Sequence, residues 1–193
     1  MTSRDSILAT IRLTRPTPVA RPDVVAPLRS LPSVADPVRR FVETSESAGA
    51  RVIEGKREDI KALIAASYPA LGRRVSVLED AAANLPSPTP HSFADTDVFV
   101  CEAELGVAEN GAVWLPLSRL RHQSAVFLTT NIIVVLDQAS IVGSFHDAYA
   151  KIDASAESFG VFVAGPSKTA DIEQSLVIGA HGAKSVTVLL LLE

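Results

Sequence analysis

Two stretches of this chain are apolar at nearly every position: "NIIVVLD" at 131–137 and "SVTVLLLL" at 185–192. A strand with one wet face alternates polar and apolar residues. A strand without that alternation has to be covered on both faces, as in a parallel sheet carrying helices above and below. The segments around these two runs support the same class, because strand and helix patterns take turns along the chain. "ARVIEG" (50–55) reads as a strand, and "REDIKALIAASY" (57–68) as a helix with Ile60, Leu63 and Ile64 inward. "RRVSVLE" (73–79) reads as a strand, followed by a loop holding Pro86, Pro88 and Pro90. "TDVFVCEAELG" (96–106) and "GAVWLPL" (111–117) read as strands, and "SAVFLTTNIIVVLD" (124–137) holds at least one more. Then come a helix, "SFHDAYAKIDASA" (144–156), a strand, "FGVFVAG" (159–165), a helix, "TADIEQSLVIGAHG" (169–182), and the last strand. The expected fold is α/β, a mostly parallel sheet covered by helices on both faces.

The amino-terminal part differs. Ser3–Leu13 can form a short amphipathic helix with Ile7, Leu8 and Ile11 on one side. The six prolines between 15 and 37 forbid a regular helix and predict an extended arm. Asp36-Pro37 reads as an N-cap followed by proline at the first helical position, opening a helix to about Ser47. The expected division is therefore residues 1–37, helix and arm, and residues 38–193, the α/β domain.

Charge and cysteine content remove several functions. A net charge of −4 gives no footprint for nucleic acid or an anionic membrane. Cys101 is the sole cysteine, so the chain forms no internal disulfide and holds no iron–sulfur cluster, and a buried inert thiol is expected. "MTSRDSILATIRLTRPTP" lacks the apolar core of a signal peptide, and "VTVLLLLE" is too short to span a bilayer, so the expectation is a cytoplasmic chain without a membrane span.

Two segments carry candidate chemistry. In "LGVAENGAVWL" (105–115), Glu109-Asn110-Gly111 interrupts two apolar runs. Asn-Gly there signals a tight hairpin, which leaves Glu109 either pointing into water or with a further role. In "AGPSKTADIE" (164–173), a strand ends in Gly165-Pro166. Ser167 or Thr169 is expected to cap the helix that follows, with Asp171 in its first turn. Lys168 is a cation where the helix dipole favours an anion, which suggests a loop for phosphate or carboxylate beyond a strand's carboxyl end. His181, set between Gly179 and Gly182 in "GAHG", is accessible or caps the helix end. The four histidines, His91, His122, His146 and His181, show no metal-ligand spacing, so no metal site is expected. Arg119, Arg121 and His122 form a basic cluster open to two readings, a solvated loop or a contact for an anionic substrate.

Together, "ELGVAENGAVWL", "NIIVVLDQASIV", "GPSKTADIE" and "GAHGAKSVTVLLL" resemble the LUD-domain family, in its lactate-utilization protein C group, over about residues 40–193. The resemblance implies a fold similar to sugar-phosphate isomerases and coenzyme A transferases. It also implies an accessory role in oxidising L-lactate to pyruvate beside partner subunits that carry the iron–sulfur clusters, with no cofactor on this chain. The ligand-binding candidates are then Asn110, Gly111, Gly165, Ser167, Lys168, Thr169, Asp171 and His181, for a small carboxylate or phosphate, with Glu109 the catalytic candidate. The chain departs from the family pattern at Asn110 and Ala112, where threonines are usual, and at Asn131, near a common histidine. "AENGAV" also resembles the coenzyme A transferase signature whose glutamate attacks an acyl thioester, with Ala108 in place of its serine. The alternative function is thus acyl transfer by a Glu109 nucleophile.

Overall fold

The computed structural model describes residues 2–17, 19–20, 22, 33–68, 70, 72–78, 89–172 and 175–192. The chain divides into two units, 1–32 and 33–193. The first holds helix α1 (Ser3–Thr14), whose start is closed by a reciprocal pair. Thr2 accepts from the Asp5 amide, and the Asp5 carboxylate accepts from Thr2. Residues 23–32, where much of the proline-rich arm was expected, and Pro86 and Pro88 lie outside the described residues.

The second unit opens on α2 (Pro37–Ser47), where Asp36 accepts from the Arg39 amide at 3.0 Å and Pro37 occupies the first turn, as the sequence predicts. Val38, Phe41, Val42 and Ser45 recur at helical spacing and form its inward face, with Phe41 and Ser45 fully buried. The chain then enters β1 (Arg51–Gly55), crosses through a short 3-10 turn at 57–59 and α3 (Ile60–Ser67), and reaches β2 (Arg74–Ser76) and β3 (Val98–Glu102). β4 (Leu105–Val107) and β5 (Ala112–Pro116) form the hairpin around Glu109. Two single-turn helices, α4 (Leu117–Leu120) and α5 (Ala125–Leu128), lead to β6 (Asn131–Asp137). After β7 (Ile141–Val142), α6 (Phe145–Lys151) and β8 (Gly160–Val163) come β9 (Lys168–Ile172) and β10 (Ser175–Ile178), and β11 (Ser185–Leu191) is last.

β1, β11, β6, β3 and β2 lie in that order in one sheet, every pair parallel. The unbroken apolar runs are explained by its two cores. Ile132, Val134 and Leu136 of β6, with Val186, Val188 and Leu190 of β11, face one core, which α2 shares. Ile133, Val135, Leu189 and Leu191 face the other, closed by Ile60, Leu63 and Ile64 of α3. Helices therefore cover both faces. A second sheet, β7-β4-β5-β8, adds a layer on the α2 side. Its Val113 and Leu115 face the parallel sheet, while Trp114 and Phe162 face away toward Phe145 of α6.

One expected element is corrected. Residues 168–172 and 175–178 are not helical but pair as an antiparallel ribbon, with Val177 opposite Thr169 and Ile178 opposite Lys168. Ala170 suits a helix, but helix propensity is a weak determinant beside tertiary pairing. The β-branched Thr169, Ile172, Val177 and Ile178 suit a ribbon, and tertiary pairing overrides the propensity. The amide of Gly179 donates to Ser167 O and that of Ser167 to Ala183 O, which ties the ribbon's base to the entry of β11.

Candidate functional site

The Glu109 motif is a four-residue loop between paired strands. Gly111, at φ 71°, donates its amide to Val107 O, and the Asn110 side chain accepts from the Ala112 amide at 3.1 Å. Gly111 also lies flat on α2. A Cβ there would overlap the Ser45 backbone, while Ser45 Oγ donates to Gly111 O at 3.2 Å and Thr44 Oγ1 to Ala108 O at 3.0 Å. Glycine is needed twice over, for its backbone angle and for the close approach. Glu109 itself is exposed, and its carboxylate accepts from the Phe145 amide at 3.0 Å, an anion at the positive end of α6.

The Gly165–Lys168 turn reaches the same end of α2. Gly165, at φ 66°, presses on Ala48 O, and Lys168 Nζ donates to that oxygen at 2.5 Å, satisfying a carbonyl at the helix terminus. The tertiary structure therefore places the two motifs side by side, on Ser45 and on Ala48, as buttresses of one helix end. It does not give Ser167 or Thr169 a helix to cap, Asp171 a helix dipole or His181 a helix end, because the described residues that follow form the β9–β10 ribbon and a bend. Ser167 packs on Gly182, Thr169 and the Asp171 backbone lie in β9, and His181 is exposed in a bend. The turn also lies at the opposite rim from the one expected. β8 pairs with β5 in the second sheet, so its carboxyl end is not the carboxyl rim of the parallel sheet. Ser167 bonds to Ala183, just ahead of β11, and the Lys184 amide to Thr130 O, just ahead of β6. This is the amino rim.

At the carboxyl rim lies a cleft of about 460 Å³ that none of those candidates lines. Part of its lining is apolar, from Ile60, Ile64, Val77, Leu78 and Val135. Its other lining is charged: Arg57, Lys61, Arg119 and Arg121 against Glu58 and Glu102. Much of this lining comes from segments leaving parallel strands, since Arg57 follows β1, Ser76 ends β2 and Glu102 ends β3. In open α/β sheets this crevice is where ligands bind. Arg119 Nη1 donates to Ala103 O at 3.2 Å and lies 3.5 Å from Glu102, and Arg57 is 3.8 Å from Asp137. Arg121 makes no ion pair among the described residues, and it is their one non-glycine residue at positive φ, 63°. It ends α4 in a left-handed turn where glycine is usual, a conformation costing about 1–2 kcal/mol. Ser118 is held by its hydroxyl and amide on Glu157.

The basic cluster in the sequence thus splits. Arg119 and Arg121 line the cleft, whereas His122 is not among its lining residues; its ring lies 5.0 Å from that of Phe93, tilted by 42°, with Nδ1 at 2.8 Å from Ser124 Oγ. Arg57, Glu58 and Glu102 carry no motif, and sequence reasoning misses them. The signal available for them is position alone, just after predicted strands. Asn131 is buried in a polar chain at the amino rim, donating to Asp97 O at 2.9 Å and accepting from Ser185, which bonds Tyr68 at 2.6 Å. Cys101 is fully buried in β3, and burial pushes its thiol's pKa up. Among the described residues no cluster of three or more His, Cys, Asp or Glu side chains is arranged to hold a metal, and no helix is long and apolar enough to cross a membrane.

A parallel five-stranded sheet covered on both faces, with a charged cleft at its carboxyl rim, defines an α/β protein. The chain belongs to the LUD-domain family, which it matches over residues 52–191. It is similar to the lactate utilization protein C of Geobacillus thermodenitrificans, at 33% identity over 92 residues, and to that of Bacillus licheniformis, at 34% over 92 residues. Each alignment covers 45% of this chain and 38% of the relative, so the match spans well under half of those proteins. Its fold is shared with a DUF162 family protein from Deinococcus radiodurans, with a TM-score of 0.61 and 14% identity over 81% of this chain and 97% of the other.

Proposed function

We propose that this LUD-domain chain serves lactate utilization as an accessory, anion-binding subunit, and that its carboxyl-rim cleft holds the ligand. The relatives' name, lactate utilization protein C, supports the process. The observation that carries the site is four cationic side chains around one crevice in a chain of net charge −4. An anion entering there meets the cations of Arg57, Lys61, Arg119 and Arg121, with Asp137 3.8 Å from Arg57 and Glu102 3.5 Å from Arg119, beside apolar lining that strengthens the attraction. Oxidising lactate to pyruvate releases two electrons and two protons. In this reading iron–sulfur partner subunits take the electrons, and this chain contributes binding.

The amino-rim motif supports a structural role more than acyl transfer. A carboxylate nucleophile acts in a dry pocket, whereas Glu109 stands in solvent and is engaged by a helix amide. The test is complementation of a deletion strain on L-lactate, with pull-down of iron–sulfur subunits. Arg119→Ala combined with Arg121→Ala is expected to abolish growth while the folded chain accumulates, and Glu109→Gln to support it. Loss of growth with Glu109→Gln alone, together with coenzyme A transfer by the purified chain, would overturn the assignment in favour of acyl transfer.

A further inference from the structure

We infer that the cleft's ligand is an amphiphilic anion, an oxyanion head carrying an apolar body longer than a three-carbon acid, and that Arg121 recognises its head. This rests on the reading of the cleft as the chain's ligand site. The size is the first reason: about 460 Å³ lies within the ~300–1,000 Å³ range of sites for drug-sized molecules, far more than a three-carbon acid fills. The lining is the second. Charged groups come from α4, the turn after β1 and Lys61 of α3, while Ile60, Ile64, Val77 and Leu78, all partly exposed, supply an apolar part of the wall. A fully hydrated small anion leaves that wall wet, whereas an apolar body covers it. The third is the backbone of Arg121. A left-handed turn favours glycine, and an arginine there is strained. Strain retained at the lip of a cleft, on a guanidinium without an ion pair among the described residues, is the pattern of a residue kept for binding at the expense of stability. Carboxylate and phosphate heads share the bidentate geometry a guanidinium accepts.

The experiment uses the full chain and straight-chain acids from acetate to octanoate, with hexyl phosphate beside hexanoate to separate the two heads. Binding is followed by NMR at the amides of 76–78 and 118–121. The expected result is a dissociation constant that falls about fourfold per added methylene until the wall is covered, with the tighter of the two hexyl probes naming the head. Arg121→Gly is expected to weaken every acid by about tenfold or more, leave the chain-length slope intact and raise the unfolding midpoint. A residue with only a structural part does not move affinity and stability in opposite directions. Equal affinities along the series, with shifts at the cleft, overturn this inference and leave the small-anion reading standing. No shifts at the cleft with any acid overturn both. Unchanged affinity in Arg121→Gly removes Arg121 from recognition.

Discussion

The two rims of the parallel sheet use similar residues for opposite ends. At the amino rim, glutamate, lysine, asparagine and two left-handed glycines are spent on holding local structure: their donors and acceptors are paired within the chain, and the turns press on Ser45 and Ala48 of α2 and its cap. At the carboxyl rim, four cations and two carboxylates stand around open space. The Arg57 and Arg119 ion pairs there are long, and Arg121 has none among the described residues. A compact polar motif is thus no guide to chemistry by itself. Motifs are local because turns are local, and a turn that must pass close to a helix has a demanding sequence whether or not it binds anything.

The comparison breaks most readily at the glycines. Gly111→Ala and Gly165→Ala each add a Cβ against helix backbone at a positive φ, and each is expected to cost more than about 2 kcal/mol in denaturant unfolding. Anion binding by the molecules that remain folded is expected to be unchanged. Arg119→Ala is the mirror experiment. Its exposed pairing with Glu102 predicts a stability change within about 1 kcal/mol, yet a clear loss of anion affinity by titration calorimetry. A loss of stability comparable to Gly111→Ala would make the cleft a packing device as well. Glu109→Gln keeps an acceptor for the Phe145 amide and removes the charge at the start of α6, so a loss of about 0.5 kcal/mol is expected in the same unfolding assay.

The smallest effect at neutral pH belongs to Cys101, in the core between the rims. A thiol whose pKa is raised by burial keeps its proton when folded. The associated stability is present below the ordinary value of 9.0 and is lost progressively as pH rises above it, where the unfolded chain ionises. Alkylation at pH 7 is expected only when denaturant opens the core. Labelling of the native chain would show that the sheet is not closed on both faces.

Much of the fold is legible in the sequence because it depends on patterns a few residues long. Asp36-Pro37 announces α2, Asn110-Gly111 announces the hairpin, and the runs at 131–137 and 185–192 announce a sheet buried on both faces. The stretch that forms β9 and β10 reads as a helix because Ala170, Asp171 and Glu173 suit one, and the pairing that makes strands of 168–172 and 175–178 is tertiary. Of the site, Arg119 and Arg121 are visible as a basic pair. Their companions Arg57 and Glu102 are not, since 62 residues separate Arg57 from Arg119 in sequence.

By itself, the order of residues determined the class of fold, the turns and the buried thiol, which follow from short-range sterics and from which faces must leave water, and its motifs carried the resemblance to the family. Tertiary structure alone decided which rim each turn occupies. That choice depends on β8 pairing with β5 instead of joining the parallel sheet, and strand pairing over such a distance is settled by the packing of the whole core.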